Sequence, residues 1–267
     1  MSVLGVYGVE HASSLVYYGL HAMQHRGQEG CGMASVEIGG KMHRHRGHGL
    51  VQEVFNEERL SKLEGNMCLG HLLYTTAGGR SSDNIEPLCF LHNTGSFAVA
   101  HNGNIVNAKQ IRGILESRGS LFQSDTNAEL LAHLIKKEAD EPRIFTIMEA
   151  LDMLEGSFAF VIMTQNRLYA CRDKYGIRPL AITKLGDGYV VSSETCAFDV
   201  MGAEFVRDVA PGEIVTIDHN GLRSRQYSLK SEHNMCAMEY IYFARPDSDI
   251  DGCNVHAFRK ESGRRLW

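Results

Sequence analysis

The sequence predicts a layered α+β domain with largely antiparallel sheets. Two observations point there: short strand-like runs flank a helical middle, and strands and helices do not alternate strictly, as a doubly wound parallel sheet would require. At 267 residues, 43% hydrophobic and 22% charged, the chain is long enough to bury a full core.

Residues 1–8 read as a short buried strand, and residues 12–24 carry apolar side chains at helical spacing up to the His25-Arg26-Gly27 turn. Residues 32–50 read as a hairpin, because Gly39 and Gly40 supply the positive φ angles that a tight turn needs. Residues 67–74 and 97–100 read as a second hairpin-like pair. Three helices are predicted over residues 107–118, 127–137 and 144–155, the second capped by Ser124 or Asp125. Six strands follow, over residues 157–164, 167–172, 180–184, 189–193, 214–218 and 222–228. After Lys230 the character changes. Residues 235–246 form an aromatic-rich segment predicted as extended, and residues 255–266 a helix with a basic face.

The formal charge of −5 and the pI near 6.2 carry no basic excess, so neither nucleic acid nor an anionic membrane surface is an expected partner. The longest apolar runs fall far short of the roughly 20 residues of a bilayer span. Cys31, Cys68, Cys89, Cys171, Cys196, Cys236 and Cys253 form no CxxC pair, so reduced thiols in a cytoplasmic protein are expected. The run His43-Arg44-His45-Arg46, with His48, reads as a solvated strand edge, because strand alternation puts only every second residue on one face. No Gly-rich phosphate loop is present, and no cofactor is expected. Taken by itself, Asn102-Gly103 reads as a turn.

Six strings share one order along nearly the whole chain. They are Gly19-Leu20-His21 with His25-Arg26-Gly27-Gln28-Glu29-Gly30, His101-Asn102-Gly103-Asn104, Ile177-Arg178-Pro179-Leu180, Ser193-Glu194-Thr195-Cys196-Ala197, and the stretch from Met238-Glu239-Tyr240 through Arg245-Pro246-Asp247-Ser248. Together they resemble the bacterial amidophosphoribosyltransferases of the iron–sulfur type. The resemblance implies a four-layer α-β-β-α sandwich of the N-terminal-nucleophile hydrolase type. It also implies a class II glutamine amidotransferase-like domain over residues 1–230, and a stub over residues 231–267 that in the family leads into a phosphoribosyltransferase domain. In that family the first residue is a cysteine. Its thiolate attacks the glutamine amide while its own α-amino group shuttles the proton. The ammonia then serves the first step of purine nucleotide synthesis.

Carried over residue by residue, the resemblance finds the chemistry degraded. The family opens Cys-Gly-Val-Phe-Gly, and here Met1-Ser2-Val3-Leu4-Gly5 aligns, so a thioether stands at the nucleophile position. Ser2 is an alternative nucleophile if Met1 is removed, although a shift of one residue along a strand points the side chain to the opposite face. Asn102 and Gly103 match the oxyanion hole. In the string Gly70-His71-Leu72-Leu73-Tyr74-Thr75-Thr76, Leu73 replaces the arginine that grips the substrate carboxylate, next to Tyr74. Asn127 aligns with the aspartate that receives the substrate ammonium, with Asp125 as the alternative under a local shift. Cys236 stands at a vestigial iron–sulfur ligand position; a cluster needs four thiolates, so no metal is expected.

The leading expectation is a domain with weakened glutamine binding and no glutaminase activity. Its expected role is binding or regulation, and its partner a separate phosphoribosyltransferase subunit or a second copy of the chain. Two other readings stand beside it: an amidohydrolase running on Ser2, and a truncated product without function, suggested by the chain stopping at Trp267 within an element.

Overall fold

The computed structural model describes residues 1–75, 81–91, 95–135 and 143–267. The chain opens with β1 (Ser2–Tyr7), buried on both faces, then α1 (Ala12–Ala22) and a 3-10 turn over Gln24–Arg26. β2 (Gly30–Val36) and β3 (Met42–His48) form the expected hairpin, with Gly39 and Gly40 both at positive φ between them. Two short helices, α2 (Val51–Val54) and α3 (Glu57–Ser61), lead to β4 (Met67–Leu73), β5 (Leu88–Phe90) and β6 (Phe97–Ile105). Three helices follow: α4 (Ala108–Ser117), α5 (Asn127–Leu134) and α6 (Arg143–Asp152). Thr126, rather than Ser124 or Asp125, caps α5 by accepting from the Glu129 N–H, and the expected extension of that helix through Lys136 and Lys137 lies outside the described residues.

β7 (Gly156–Thr164), β8 (Leu168–Arg172), β9 (Ala181–Leu185) and β10 (Gly188–Ser192) come next, then α7 (Cys196–Asp199). After β11 (Glu204–Asp208), β12 (Glu213–Asp218) and β13 (Gly221–Gln226), the chain ends in a small ladder of β14 (Asp249–Ile250) and β15 (Cys253–Asn254) and in α8 (Val255–Leu266).

Two antiparallel sheets stack face to face. One runs β11-β9-β10-β1-β4-β2-β3 and the other β13-β12-β8-β7-β6-β5. Strand alternation sorts their side chains into three apolar layers. Leu4, Val6, Leu72 and Cys68 pack outward with Val16 and Leu20 of α1; Val3, Leu69, Ala98, Ala100 and Val161 fill the space between the sheets; Val99, Phe158 and Phe160 pack outward with Ile111, Leu130 and Ile147 of α4, α5 and α6. The result is the four-layer α-β-β-α sandwich that the family resemblance implies. Among the described residues no helix is long and apolar enough to cross a membrane.

Three expectations are corrected. β4 and β6 are not partners in a hairpin, because β4 lies between β1 and β2 in one sheet while β6 lies between β5 and β7 in the other. Asn102-Gly103 is not a turn either: β6 runs on through both residues, which face Ala159 and Phe158 of β7. Gly103 is needed there for a different reason. At φ 149° a Cβ would lie 2.0 Å from the Ser157 carbonyl oxygen, so the two backbones approach too closely for any side chain. Finally, residues 235–246 are not extended, since Glu239–Phe243 forms a short π-helix.

That coil is set by a buried charge. Glu239, with 0% exposure, accepts two hydrogen bonds from the Arg26 guanidinium, both at 2.8 Å, and Phe243 places its ring 4.4 Å from the same group. Arg26 also bonds Glu194, whose other oxygen accepts from Ser248 Oγ at 2.8 Å and from the Arg245 N–H at 3.0 Å. A second anchor joins Arg172 to Asp251 through hydrogen bonds of 2.8 and 2.7 Å.

Two stability measurements test this packing. Gly103→Ala is expected to cost on the order of 4 kcal/mol by urea unfolding, and an unchanged midpoint would contradict the close approach of β6 and β7. Glu239→Ala leaves part of the Arg26 charge buried without a partner and is expected to cost about 3–5 kcal/mol. Hydrogen exchange in that variant should rise across residues 236–248; protection equal to that of the unmodified protein would show that the ion pair does not hold the segment.

Candidate active site

A cavity of about 270 Å³ opens where the start of β1, the end of β4, the end of β6 and the first turns of α4 and α5 converge. Met1, Leu73, Tyr74, Gly103, Asp125 and Asn127 all line it, so positions far apart in sequence meet in one place. Ser2, Asn102 and Cys236 are not on its wall. Ser2 is fully buried and shares a face of β1 with Leu4 and Val6, toward α1, with its hydroxyl unpaired. Asn102 is 2% exposed, and among the described residues its side-chain amide nitrogen has no hydrogen-bond partner. Cys236 is a half-buried free thiol on the C-terminal segment.

With Met1 as the first residue, its α-amino group donates to the Arg26 carbonyl oxygen at 2.7 Å. Burial, with Arg26 and Arg178 nearby, lowers that amine from 8.0 to about 4, so at neutral pH it is an uncharged base. Below it, burial alone would raise the Glu194 carboxyl, but Arg26 and His25 hold it far under the ordinary range. A proton acceptor thus stands at the cavity beside a side chain with no proton to give.

Beside Met1, one step beyond the Ser2–Leu72 pair of β1 and β4, Leu73 is 8% exposed and offers only methyl groups. Gly27 packs so tightly behind it that a Cβ there would lie 2.7 Å from the Leu73 carbonyl oxygen. The loop before α5 is fixed by Glu129, whose carboxylate accepts from the N–H groups of Gln123 and Ser124 at 2.7 and 2.6 Å and from Ser124 Oγ at 2.6 Å. This pinned loop presents Asn127 to the interior and leaves Asp125 on the rim, 3.5 Å from Arg112.

Sequence reasoning missed the polar centre of the cavity. Glu86, 1% exposed, accepts from His101 Nδ1 and from the His101 backbone N–H, both at 2.7 Å, and Asn127 Nδ2 lies 3.3 Å from His101 Nε2. His71, fully buried, donates from Nε2 to the His101 carbonyl oxygen at 3.1 Å. The one signal available was an acid before a proline inside an apolar run, Ile85-Glu86-Pro87-Leu88, where a solvated surface would not be expected.

Burial lowers the His71 ring from 6.5 to about 4. For Glu86, burial alone would raise the carboxyl, but His101 and His71 draw it below its ordinary range. Between pH 6.5 and about 4 the unfolded chain binds a proton at His71 that the folded chain refuses, so stability rises with pH across that window. Glu86 adds the same sign, its contribution being lost as pH falls through its lowered folded value. An NMR titration is expected to find the His71 ring neutral down to about pH 5, whereas protonation near the ordinary histidine value would mean that water reaches it.

The geometry invites comparison with known proteins. A glutamine amidotransferase domain model matches residues 77–200. The chain is 49% identical over 265 residues to the amidophosphoribosyltransferase of Bacillus subtilis (strain 168), covering 99% of this chain and 56% of the relative. It is 42% identical to that of Staphylococcus aureus (strain Mu50 / ATCC 700699), covering 54% of the relative. It therefore spans about half the length of the curated relatives it matches. The solved structure of glutamine phosphoribosylpyrophosphate amidotransferase from B. subtilis, complexed with ADP and GMP, superposes with a TM-score of 0.95 at 47% identity, covering all of this chain and 58% of the other. A glutamine aminotransferase class-II domain protein from Silicibacter pomeroyi shares the fold alone, with a TM-score of 0.56 at 15% identity. The chain is thus a class II glutamine amidotransferase domain with the N-terminal-nucleophile hydrolase fold, homologous to the N-terminal part of amidophosphoribosyltransferase.

Proposed function

We propose that this chain is a glutaminase-like domain that does not hydrolyse glutamine and acts as a binding or regulatory domain. Residue 1 carries the reading. Met1 lines the cavity, and its thioether cannot be deprotonated to attack an amide. The substrate end supports it, since Leu73 offers no donor for a carboxylate and Asn127 no charge for an ammonium. The absence of two charge-assisted contacts weakens glutamine binding by roughly 3–6 kcal/mol, or about two to four decades. Hydrolysis through Ser2 is disfavoured by its burial on the face of β1 turned toward α1.

The proposed partner is a separately encoded phosphoribosyltransferase half, or a second copy of the chain, acting in purine nucleotide synthesis. Met238, Ile241 and Tyr242 on the π-helix segment are 49%, 53% and 67% exposed and offer it an apolar face.

Purified, folded protein given glutamine is expected to release no ammonia above the buffer rate, and measurable release would overturn the reading. The double variant Leu73→Arg, Asn127→Asp is expected to bind glutamine at least about 100-fold more tightly in calorimetry and still release none. No gain in affinity would mean that these two positions do not set ligand choice.

A further inference from the structure

The dipeptide Asn-Gly occurs twice in the chain, as Asn102-Gly103 and as Asn220-Gly221. In such a pair the glycine nitrogen can attack the asparagine side-chain carbonyl, because no Cβ stands beside that nitrogen. The product is a cyclic succinimide, so the peptide unit between the two residues must rotate before the atoms can meet. The fold decides which copy can rotate.

The first copy is locked. Asn102 pairs with Ala159 inside β6, and Gly103 lies so close to β7 that a Cβ would sit 2.0 Å from the Ser157 carbonyl oxygen. Rotation there would pull β6 from β7 inside the six-stranded sheet and expose a residue that is now 2% exposed.

The second copy is placed differently. His219 and Asn220, both exposed, form the turn from β12 to β13, where the last ladder pair is Asp218 with Gly221. β13 is an edge strand of its sheet, and Arg223, Ser224, Arg225 and Gln226 along it are exposed. Gly221 has φ 91°, and a Cβ built on it would meet nothing nearer than the Tyr189 hydroxyl at 3.8 Å. The Asn220 backbone N–H donates to Asp218 Oδ1 at 2.9 Å, whereas among the described residues its side-chain amide makes no hydrogen bond. Fraying this turn breaks only terminal ladder contacts at the surface, which lies at the low end of local unfolding free energies.

We propose that Asn220 is a site of covalent self-modification by deamidation. The Gly221 backbone nitrogen bonds to Asn220 Cγ and gives up its proton, the Cγ–Nδ2 bond breaks, and the side-chain nitrogen leaves with that proton as ammonia. Water then opens the succinimide at either carbonyl, leaving aspartate or isoaspartate at position 220. Isoaspartate carries the main chain through its Cβ and frees its α-carboxylate, the group that S-adenosylmethionine-dependent isoaspartyl methyltransferases esterify. Either product adds a negative charge two residues from Asp218, which is 2% exposed and already paired with Arg167 and Arg223.

The site is remote from the cavity. Tyr7, at the other end of β1 from Met1, donates to the Asn166 carbonyl oxygen, and the next residue, Arg167, lies 3.4 Å from Asp218. Ammonia formed here is limited to one molecule per chain, whereas hydrolysis of glutamine would turn over, so the proposal stands apart from the non-hydrolytic reading.

The test incubates the full chain without glutamine in mildly alkaline heavy-oxygen water and maps its peptides by mass spectrometry. Folded protein is expected to take up heavy oxygen at Asn220 at least about tenfold faster than at Asn102, with a matching release of ammonia. The aged protein is expected to accept a labelled methyl group from S-adenosylmethionine through a purified isoaspartyl methyltransferase. In urea the fold no longer separates the two copies, and their rates are expected to agree within about threefold. Asn220→Gln, whose longer side chain must close a larger ring, is expected to keep the urea midpoint and to lose most of the methyl acceptance. Uptake at Asn102 as fast as at Asn220 in folded protein would overturn the proposal. So would no uptake at Asn220 while the unfolded chain is modified, or undiminished methyl acceptance in Asn220→Gln.

Discussion

Arg26 is the residue on which the rest of the arrangement depends. A guanidinium with no exposure to water is costly unless every charge around it is answered, and here Glu194, Glu239 and the ring of Phe243 answer it. The same residue receives the Met1 amine on its carbonyl oxygen. One side chain and one peptide group thus tie together the first residue, the turn after α1, the strand-to-helix corner at Glu194 and the segment that carries Glu239. The position of residue 1 and the docking of residues 236–248 follow from a single electrostatic requirement.

The residues around the cavity divide along a physical line. The close approach at Gly103 and the burial of Asn102 are consequences of how β6 meets β7, so they persist as long as the sandwich does. Met1, Leu73 and Asn127 instead point into an open cavity. Their identities can change without disturbing a packed layer.

Much of the architecture was legible because period and turn chemistry are local. The hairpin through Gly39 and Gly40, the amphipathic middle helices and most strands can be read from neighbouring residues alone. The errors arose where distant contacts decide. Strand runs at 67–73 and 97–105 look like a hairpin until the sheets are assembled, and β11, with Glu204, Arg207 and Asp208 in five residues, carries too little apolar pattern to declare itself. Tyr240 to Phe243 have strand-forming side chains, yet the chain coils there so that Glu239 can reach Arg26. In the cavity, the family resemblance pointed to Met1, Leu73 and Asn127. It gave no hint of Glu86, because a lone glutamate next to a proline has no meaning until His101 is brought against it.

The outer edge of the seven-stranded sheet bears on how the molecule behaves in concentrated solution. Among the described residues β3 leaves one side of its backbone without a strand partner, and that side belongs to a strand carrying His43, Arg44, His45, Arg46 and His48. A neighbouring copy trying to extend the sheet in antiparallel fashion would bring the Arg44 and Arg46 guanidinium groups of the two edges together. The strand thus acts as a terminator: the same charges that could be mistaken for a binding site keep the sheet finite and discourage edge-to-edge growth into fibrils.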